Sequence, residues 1–408
     1  MKKYILLLLA LMTFLSADLK AEKPYVLLVS LDGFRWDYPD RGVSPNLDTI
    51  AMNGVRALTL KPVFPSKTFP NHLSIITGLY PENHGIIANY FYDPNNDSIY
   101  SLSNKNAVRE GYWYQGEPFW QTAQRHGIKC ASYFWPSSEA KPAYRQPEYF
   151  MDYDHDTPYE ERVNGVIDWL SLPYTERPHF ITLYFHETDS RGHEYGPDSK
   201  ETNEGIILVD SMIGRLRNEI EDMGLRDSVN IIVLSDHGMA YVDPDQIINI
   251  ESMLTDFSDH RIIGTGPVMM IFPQENEIQK MYETIKSNEK NFNVYLKEDI
   301  PDGYHYSTHP FIAPVVLIAK KGWYLADDHY EERRKEYDTP LIGHHGYDNE
   351  LLDMHGIFIA SGPDFKSGYM TGTLQNIDIY PLLCKIFGIE VPSDIDGDIE
   401  RIRAVLKE

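Results

Sequence analysis

YVLLVSL (Tyr25–Leu31), which runs straight into Asp32-Gly33, is the stretch on which the fold turns. It is uncharged, rich in Val and Leu, and stopped by a turn pair. Such a run describes a strand buried on both faces, as in a parallel sheet. The pattern recurs: FITLYF (Phe180–Phe185) leads into His186, Glu187 and Asp189, and NIIVL (Asn230–Leu234) ends in Ser235-Asp236-His237-Gly238. GIFIA (Gly356–Ala360), ending in Ser361-Gly362-Pro363, reads as a fourth strand of the same parallel kind. Helical periods lie between. Pro45–Gly54 closes on a glycine, Thr202–Met223 repeats apolar residues from Ile206 to Ile220, and Tyr380–Phe387 stops before Gly388. The alternation predicts an α/β fold, with a central, mostly parallel sheet flanked by helices on both faces. The stretch from about 241 to 341 is richer in polar and aromatic residues, with weaker strand runs at Pro267–Phe272 and Phe311–Ala319. It reads as a smaller inserted cap region on a single catalytic domain spanning 22–408.

The chain of 408 residues carries a net charge of -24. An acidic surface repels a long polyanion, which argues against a nucleic-acid polymer as partner. A small phosphorylated substrate remains compatible if bound cations offset the field locally. The two cysteines, Cys130 and Cys384, permit one disulfide but form no CxxC pair. Lys2 and Lys3 precede the apolar run Tyr4–Leu15, and Ser16 and Ala17 follow. This predicts a secretory signal peptide over 1–21 and an exported protein, periplasmic or secreted, without stable membrane insertion.

In open α/β sheets, ligands bind beyond the carboxyl ends of the strands. Asp32 follows the first strand, Asp189 and His193 the FITLYF strand, and Asp236 and His237 the NIIVL strand; His345 lies in Gly343-His344-His345-Gly346. Each alone also reads as a turn or a loop ion pair. Together, three aspartates and three histidines form a donor set that zinc favours, enough for two sites. Between the first strand and the next helix lies Phe64-Pro65-Ser66-Lys67-Thr68-Phe69-Pro70-Asn71-His72, whose hydroxyls are candidate nucleophiles activated by metal. Thr68 also reads as the N-cap of a helix over Asn71–Thr77.

These residues sit in segments that resemble the nucleotide pyrophosphatase/phosphodiesterases of the alkaline phosphatase superfamily. The likeness is carried by LVSLDGFR (Leu28–Arg35), SPNLDTIAMNGV (Ser44–Val55), PSKTFPNHLSIITGLYPENHGIIAN (Pro65–Asn89), YFHETDSRGHEYGP (Tyr184–Pro197), VLSDHGM (Val233–Met239) and GHHGYDN (Gly343–Asn349). The resemblance implies an alkaline-phosphatase-like fold and two zinc ions (Zn2+) per chain. One is held by Asp32, Asp236, His237 and Thr68, the other by Asp189, His193 and His345. Thr68 is then the nucleophile, forming a covalent threonine intermediate, and Asn89 hydrogen-bonds a non-bridging phosphate oxygen. His344, beside the implied ligand, reads as a supporting or surface residue.

The same resemblance implies a small-molecule nucleotide substrate, with Phe69 and Tyr184 sandwiching the base. Trp135 is a third candidate wall, and Lys67 a candidate phosphate contact. The expected products include nucleoside 5'-monophosphate. Rival readings are a choline or lysophospholipid phosphodiesterase, and a phosphomonoesterase or phosphonate hydrolase of the same superfamily. No arginine lies beside Thr68 to bind the extra charge of a monoester.

Overall fold

The architecture comes from a computed structural model that describes residues 23–330, 332 and 342–407. The predicted signal peptide, and the end of the predicted cap stretch at 331 and 333–341, lie outside the described residues. YVLLVSL forms β1 (Tyr25–Leu31) at the centre of an eight-stranded sheet. The other members are β2 (Val55–Ala57), β3 (Cys130–Tyr133), β4 (Tyr149–Met151), β5 (Phe180–Phe185), β6 (Val229–Leu234), β11 (Phe358–Ser361) and β12 (Tyr369–Thr371). Their spatial order is β12-β2-β11-β6-β1-β5-β3-β4. Alternate residues of β1 enter opposite cores. Val26 and Leu28 pack with the helices Thr68–Thr77 and Ile379–Phe387, whereas Leu27, Val29 and Leu31 pack with Tyr159–Leu170 and Lys200–Asp222. Burial on both faces is why the run has no polar alternation.

GIFIA forms a strand, but not a parallel one. Its residues in β11 run antiparallel to β6, with Phe358 opposite Leu234 and Ser361 opposite Ile231. An apolar run reports burial and is silent on strand direction. The remaining seven strands share one direction.

Because β5 and β6 flank β1 in parallel register, their carboxyl ends lie side by side: Leu31 faces Phe185 and Ser30 faces Leu234. Everything that follows these strands therefore opens at one edge of the sheet. Gly33 (φ +65) makes the tight exit from β1, and a Cβ there would meet Asp189 Cα at 2.8 Å. The helix Glu187–Tyr195 can approach that closely only over a glycine.

A second sheet, antiparallel throughout, holds β7 (His260–Ile263), β8 (Val268–Pro273), β9 (Phe292–Leu296) and β10 (Val315–Ala319), in the order β7-β8-β10-β9. Met269, Ile271, Val315 and Leu317 pack on the helix Ile278–Lys286 through Met281 and Ile285. On the opposite face, Val268, Met270, Val316 and Ile318 join the main core.

Candidate metal centre and active site

The helix expected over Asn71–Thr77 starts three residues earlier, at Thr68. Lys67 is the extended residue before it, and no side chain caps the end. Asn71 supplies the local order instead. Its Oδ1 accepts from Val63 N at 2.8 Å, and its Nδ2 donates to Pro65 O at 3.1 Å and Lys67 O at 2.8 Å. Pro70 sits in the first turn, where a missing N–H breaks no helical bond. Thr68 is thus the first helical residue, its own N–H free of an intrahelical acceptor. Its Oγ1 lies 3.3 Å from His237 Nε2. The Phe69 N–H donates to Asn89 Oδ1 at 3.0 Å, which leaves the Asn89 amide hydrogens for the cavity that both residues line.

Around Thr68 lie two clusters of metal-type donors. Asp32, Asp236 and His237 each bring one ligand atom, all within 4.8 Å of one another, and Asp189, His237 and His345 do the same. His193 joins the second cluster, its Nε2 3.4 Å from Asp189 Oδ1, which also lies 3.5 Å from His345 Nε2. The His237 and His345 rings stack at 3.6 Å and link the two groups. Each imidazole is oriented from behind by a backbone carbonyl. His193 Nδ1 meets Gly343 O at 2.8 Å, His237 Nδ1 meets Gly238 O at 2.9 Å, and His345 Nδ1 meets Ser66 O at 2.9 Å. A carbonyl only accepts, so the proton sits on Nδ1 and the Nε2 lone pair faces the carboxylates.

That arrangement is repulsive without a cation. Asp32 Oδ1, Asp189 Oδ1 and Asp236 Oδ2 are buried and lack any hydrogen-bond partner among the described residues. Burial, then repulsion from Asp189, raises the Asp32 carboxyl well above its usual range, and burial with its two neighbouring aspartates does the same to Asp236. Burial pushes Asp189 up to about 7. Burial likewise holds the imidazoles neutral, with His193 down to about 4 and His237 and His345 well below their ordinary value. Orphaned carboxylate oxygens and neutral, back-oriented imidazoles are the donor set of a divalent metal centre, and they fit one.

A cavity of about 480 Å³ opens from Thr68. Phe69 and Tyr153 both line it and are partly exposed. Tyr184 and Trp135 also line it, but are only 7% and 1% exposed. Tyr184 donates its hydroxyl to Asp32 Oδ2 at 2.5 Å, and the Trp135 indole donates to His72 O at 3.3 Å. Phe134 (φ 72) and Ser137 (φ 78) hold left-handed backbone conformations that bulky side chains disfavour, and both line this cavity. Lys67 faces a neighbouring cavity of about 430 Å³, which Asn89 also borders.

The model of one protein family, type I phosphodiesterase/nucleotide pyrophosphatase, matches residues 26–348. The chain belongs to this family. Human ectonucleotide pyrophosphatase/phosphodiesterase family member 5 is 35% identical over 386 residues, covering 95% of this chain and 78% of the relative. The human bis(5'-adenosyl)-triphosphatase ENPP4 is 37% identical over 409 residues, covering 98% and 86%. Among solved structures, an inactive form of murine ectonucleotide pyrophosphatase/phosphodiesterase 5 in complex with AMP superposes with a TM-score of 0.87 at 33% identity. The match covers 94% of this chain and 100% of that one.

One residue of this phosphodiesterase-family site, Tyr153, escaped the sequence reading. Tyr153 sits in Asp152-Tyr153-Asp154-His155-Asp156, a polar stretch with no period or motif to mark it. His72, at the end of the Phe64–His72 stretch, ties the turn at Thr68 to the sheet. Its Nδ1 donates to Thr68 O at 2.8 Å, so its Nε2 accepts from Ser30 Oγ, also at 2.8 Å. The helical spacing of four puts His72 on the same helix face as Thr68.

Proposed function

We propose that the protein is a two-zinc hydrolase that cleaves nucleotide phosphodiester or pyrophosphate bonds and releases nucleoside 5'-monophosphate. The observation that carries this reading is the meeting of three buried, orphaned carboxylate oxygens with three neutral imidazoles beside Thr68 Oγ1, at the mouth of an aromatic-walled cavity. One ion is assigned to Asp32, Asp236 and His237 with Thr68, the other to Asp189, His193 and His345. When bound, the ions supply positive charge at the transferring phosphate and lower the pKa of the attacking hydroxyl. Mixed imidazole and carboxylate donors favour zinc over magnesium.

Thr68 Oγ1 forms a bond to phosphorus as the bond to the leaving oxygen breaks, giving a nucleotidyl-threonine. Water then attacks phosphorus from the same side as the departed group, restores the threonine and frees the monophosphate. The Asn89 amide and the free N–H at the start of the Thr68–Thr77 helix are assigned to a non-bridging oxygen; one such donor is worth about 2.7–4 kcal/mol where charge develops. Phe69 and Tyr153 take the base between them. Tyr184, which the sequence reading set beside the base, is assigned a different part: its hydroxyl orients Asp32. Lys67, held near pKa 8 chiefly by burial, is assigned to the leaving-group side. Among the described residues no arginine lines the cavity at Thr68, which favours a diester over a monoester. The charged start and apolar run at Lys2–Leu15 support export, and no helix of the described residues is long and apolar enough to cross a membrane.

The test is hydrolysis of p-nitrophenyl thymidine monophosphate against p-nitrophenyl phosphate by the zinc-loaded protein. A strong diester preference is expected. A preference for the monoester would move the assignment to a phosphatase.

A further inference from the structure

Tyr153 stands on a loop rather than on a helix or strand, and the contacts that fix this loop form a closed set of charges outside the metal centre. The Tyr153 N–H donates to Glu139 Oε1. Glu139 is 8% exposed, and its other oxygen accepts from Arg109 Nε at 2.8 Å. The same guanidinium reaches Asp152 Oδ1 at 3.0 Å, one residue before Tyr153. Arg109 closes the short helix Lys105–Arg109, whose Lys105 and Val108 border the cavity, and its carbonyl accepts from Lys141 N at 2.9 Å. One arginine therefore joins the helix at the cavity's edge, the strained turn ending at Glu139, and the loop that carries Tyr153. Both oxygens of Glu139 are engaged in this task.

We propose that the Arg109–Glu139–Asp152 clamp is a positioning device for the nucleobase, fixing where the Tyr153 ring stands relative to Phe69, with Glu139 on the cavity's lining and Arg109 and Asp152 behind it. The inference rests on the proposed base slot between those rings. A planar guanidinium can serve two carboxylates at fixed angles, which a lysine cannot reproduce. Stacking depends steeply on the separation of two rings, so a loosened Tyr153 weakens binding of a planar base while leaving Thr68 and its metal ligands in place. The far side of the loop is pinned separately: the buried Arg162 donates to Thr157 O and His155 O, both at 3.1 Å. Arg109, whose side chain is 33% exposed, can be replaced without opening a buried void.

The experiment compares Arg109→Met, Arg109→Lys and Glu139→Gln with wild type, all zinc-loaded. The substrates are p-nitrophenyl thymidine monophosphate, which has a base, and bis(p-nitrophenyl) phosphate, which has none. Arg109→Met is expected to raise KM for the nucleotidyl ester about tenfold with kcat within about twofold, and to leave the base-free diester unchanged. Arg109→Lys should recover part of the loss. Glu139→Gln, which keeps an acceptor for the Tyr153 N–H, should show a smaller rise with the same selectivity. Equal losses on both substrates, or an unchanged KM for the nucleotidyl ester, would overturn the clamp. A wild-type enzyme that does not prefer the nucleotidyl ester, and is indifferent to Phe69→Ala, would instead overturn the base slot on which the clamp depends.

Discussion

Asp189→Asn should stabilise the metal-stripped protein while crippling the metal-loaded one. Burial raises the Asp189 carboxyl from 3.8 to about 7, with Lys67 partly opposing the shift. The folded-state pKa lies above the unfolded one, so the folded protein binds the proton more tightly. The resulting stability is present below pH 4 and is lost as pH rises through 7. Full ionisation of this one group costs on the order of 4 kcal/mol, of which roughly 3 kcal/mol falls between pH 5 and pH 8. Asp32 and Asp236 shift in the same direction, chiefly through burial. Asparagine keeps the shape and removes the charge. For a chain of this length each kcal/mol moves Tm by about 1 °C. Calorimetry on chelator-stripped protein should find the variant melting a few degrees above wild type at pH 8, with the gap shrinking toward pH 5. Adding zinc should reverse the order, because only the wild type gains a complete site. Stripped proteins that melt together at every pH, or a wild type that gains on the variant as pH rises, would refute the reasoning.

Three further outcomes are expected. Phe69→Ala removes one face of the proposed base slot and should raise KM for a nucleotidyl ester by roughly five- to 150-fold, the kinetic equivalent of about 1–3 kcal/mol per stacked base, while sparing bis(p-nitrophenyl) phosphate. Tyr184→Phe deletes the hydroxyl that orients Asp32, and competition with a chelator should show zinc affinity lowered about tenfold or more. His84 is buried and held neutral down to about 3, its Nε2 donating to Pro70 O and its Nδ1 accepting from Ile86 N. A histidine whose folded pKa is depressed keeps its stability above pH 6.5 and loses it on acidification, by about 1.4 kcal/mol per pH unit. His84→Gln should flatten the acid limb of a Tm–pH profile by that one proton.

The strands that build the site were legible because burial on both faces leaves uninterrupted apolar runs, and because each run stops at a polar turn. That is why Asp32, Asp189, Asp236 and His237 could be placed at strand ends before any coordinates. Direction was not legible: GIFIA looks the same whether it runs with β6 or against it. Strands of three or four residues, such as β2 and β4, are too short to show a period. The start of the Thr68 helix was misplaced because Pro70 and the absence of a capping side chain hide the true first turn. Tyr184 and Tyr153 show where residue type ceases to inform. Both are tyrosines within reach of one cavity, but one is buried with its hydroxyl on a carboxylate, and the other is partly exposed on a loop. Burial and hydrogen bonding, which residue type does not give, separate the two.

The measurement that bears most directly on the covalent role of Thr68 is the stereochemical course at phosphorus. A nucleotidyl phosphorothioate ester of one hand would be hydrolysed in oxygen-18 water and the configuration of the product determined. Two successive in-line displacements, first by Thr68 Oγ1 and then by water, each invert phosphorus, so net retention is expected. Net inversion would mean that water attacks the substrate directly, and Thr68 could not be the nucleophile.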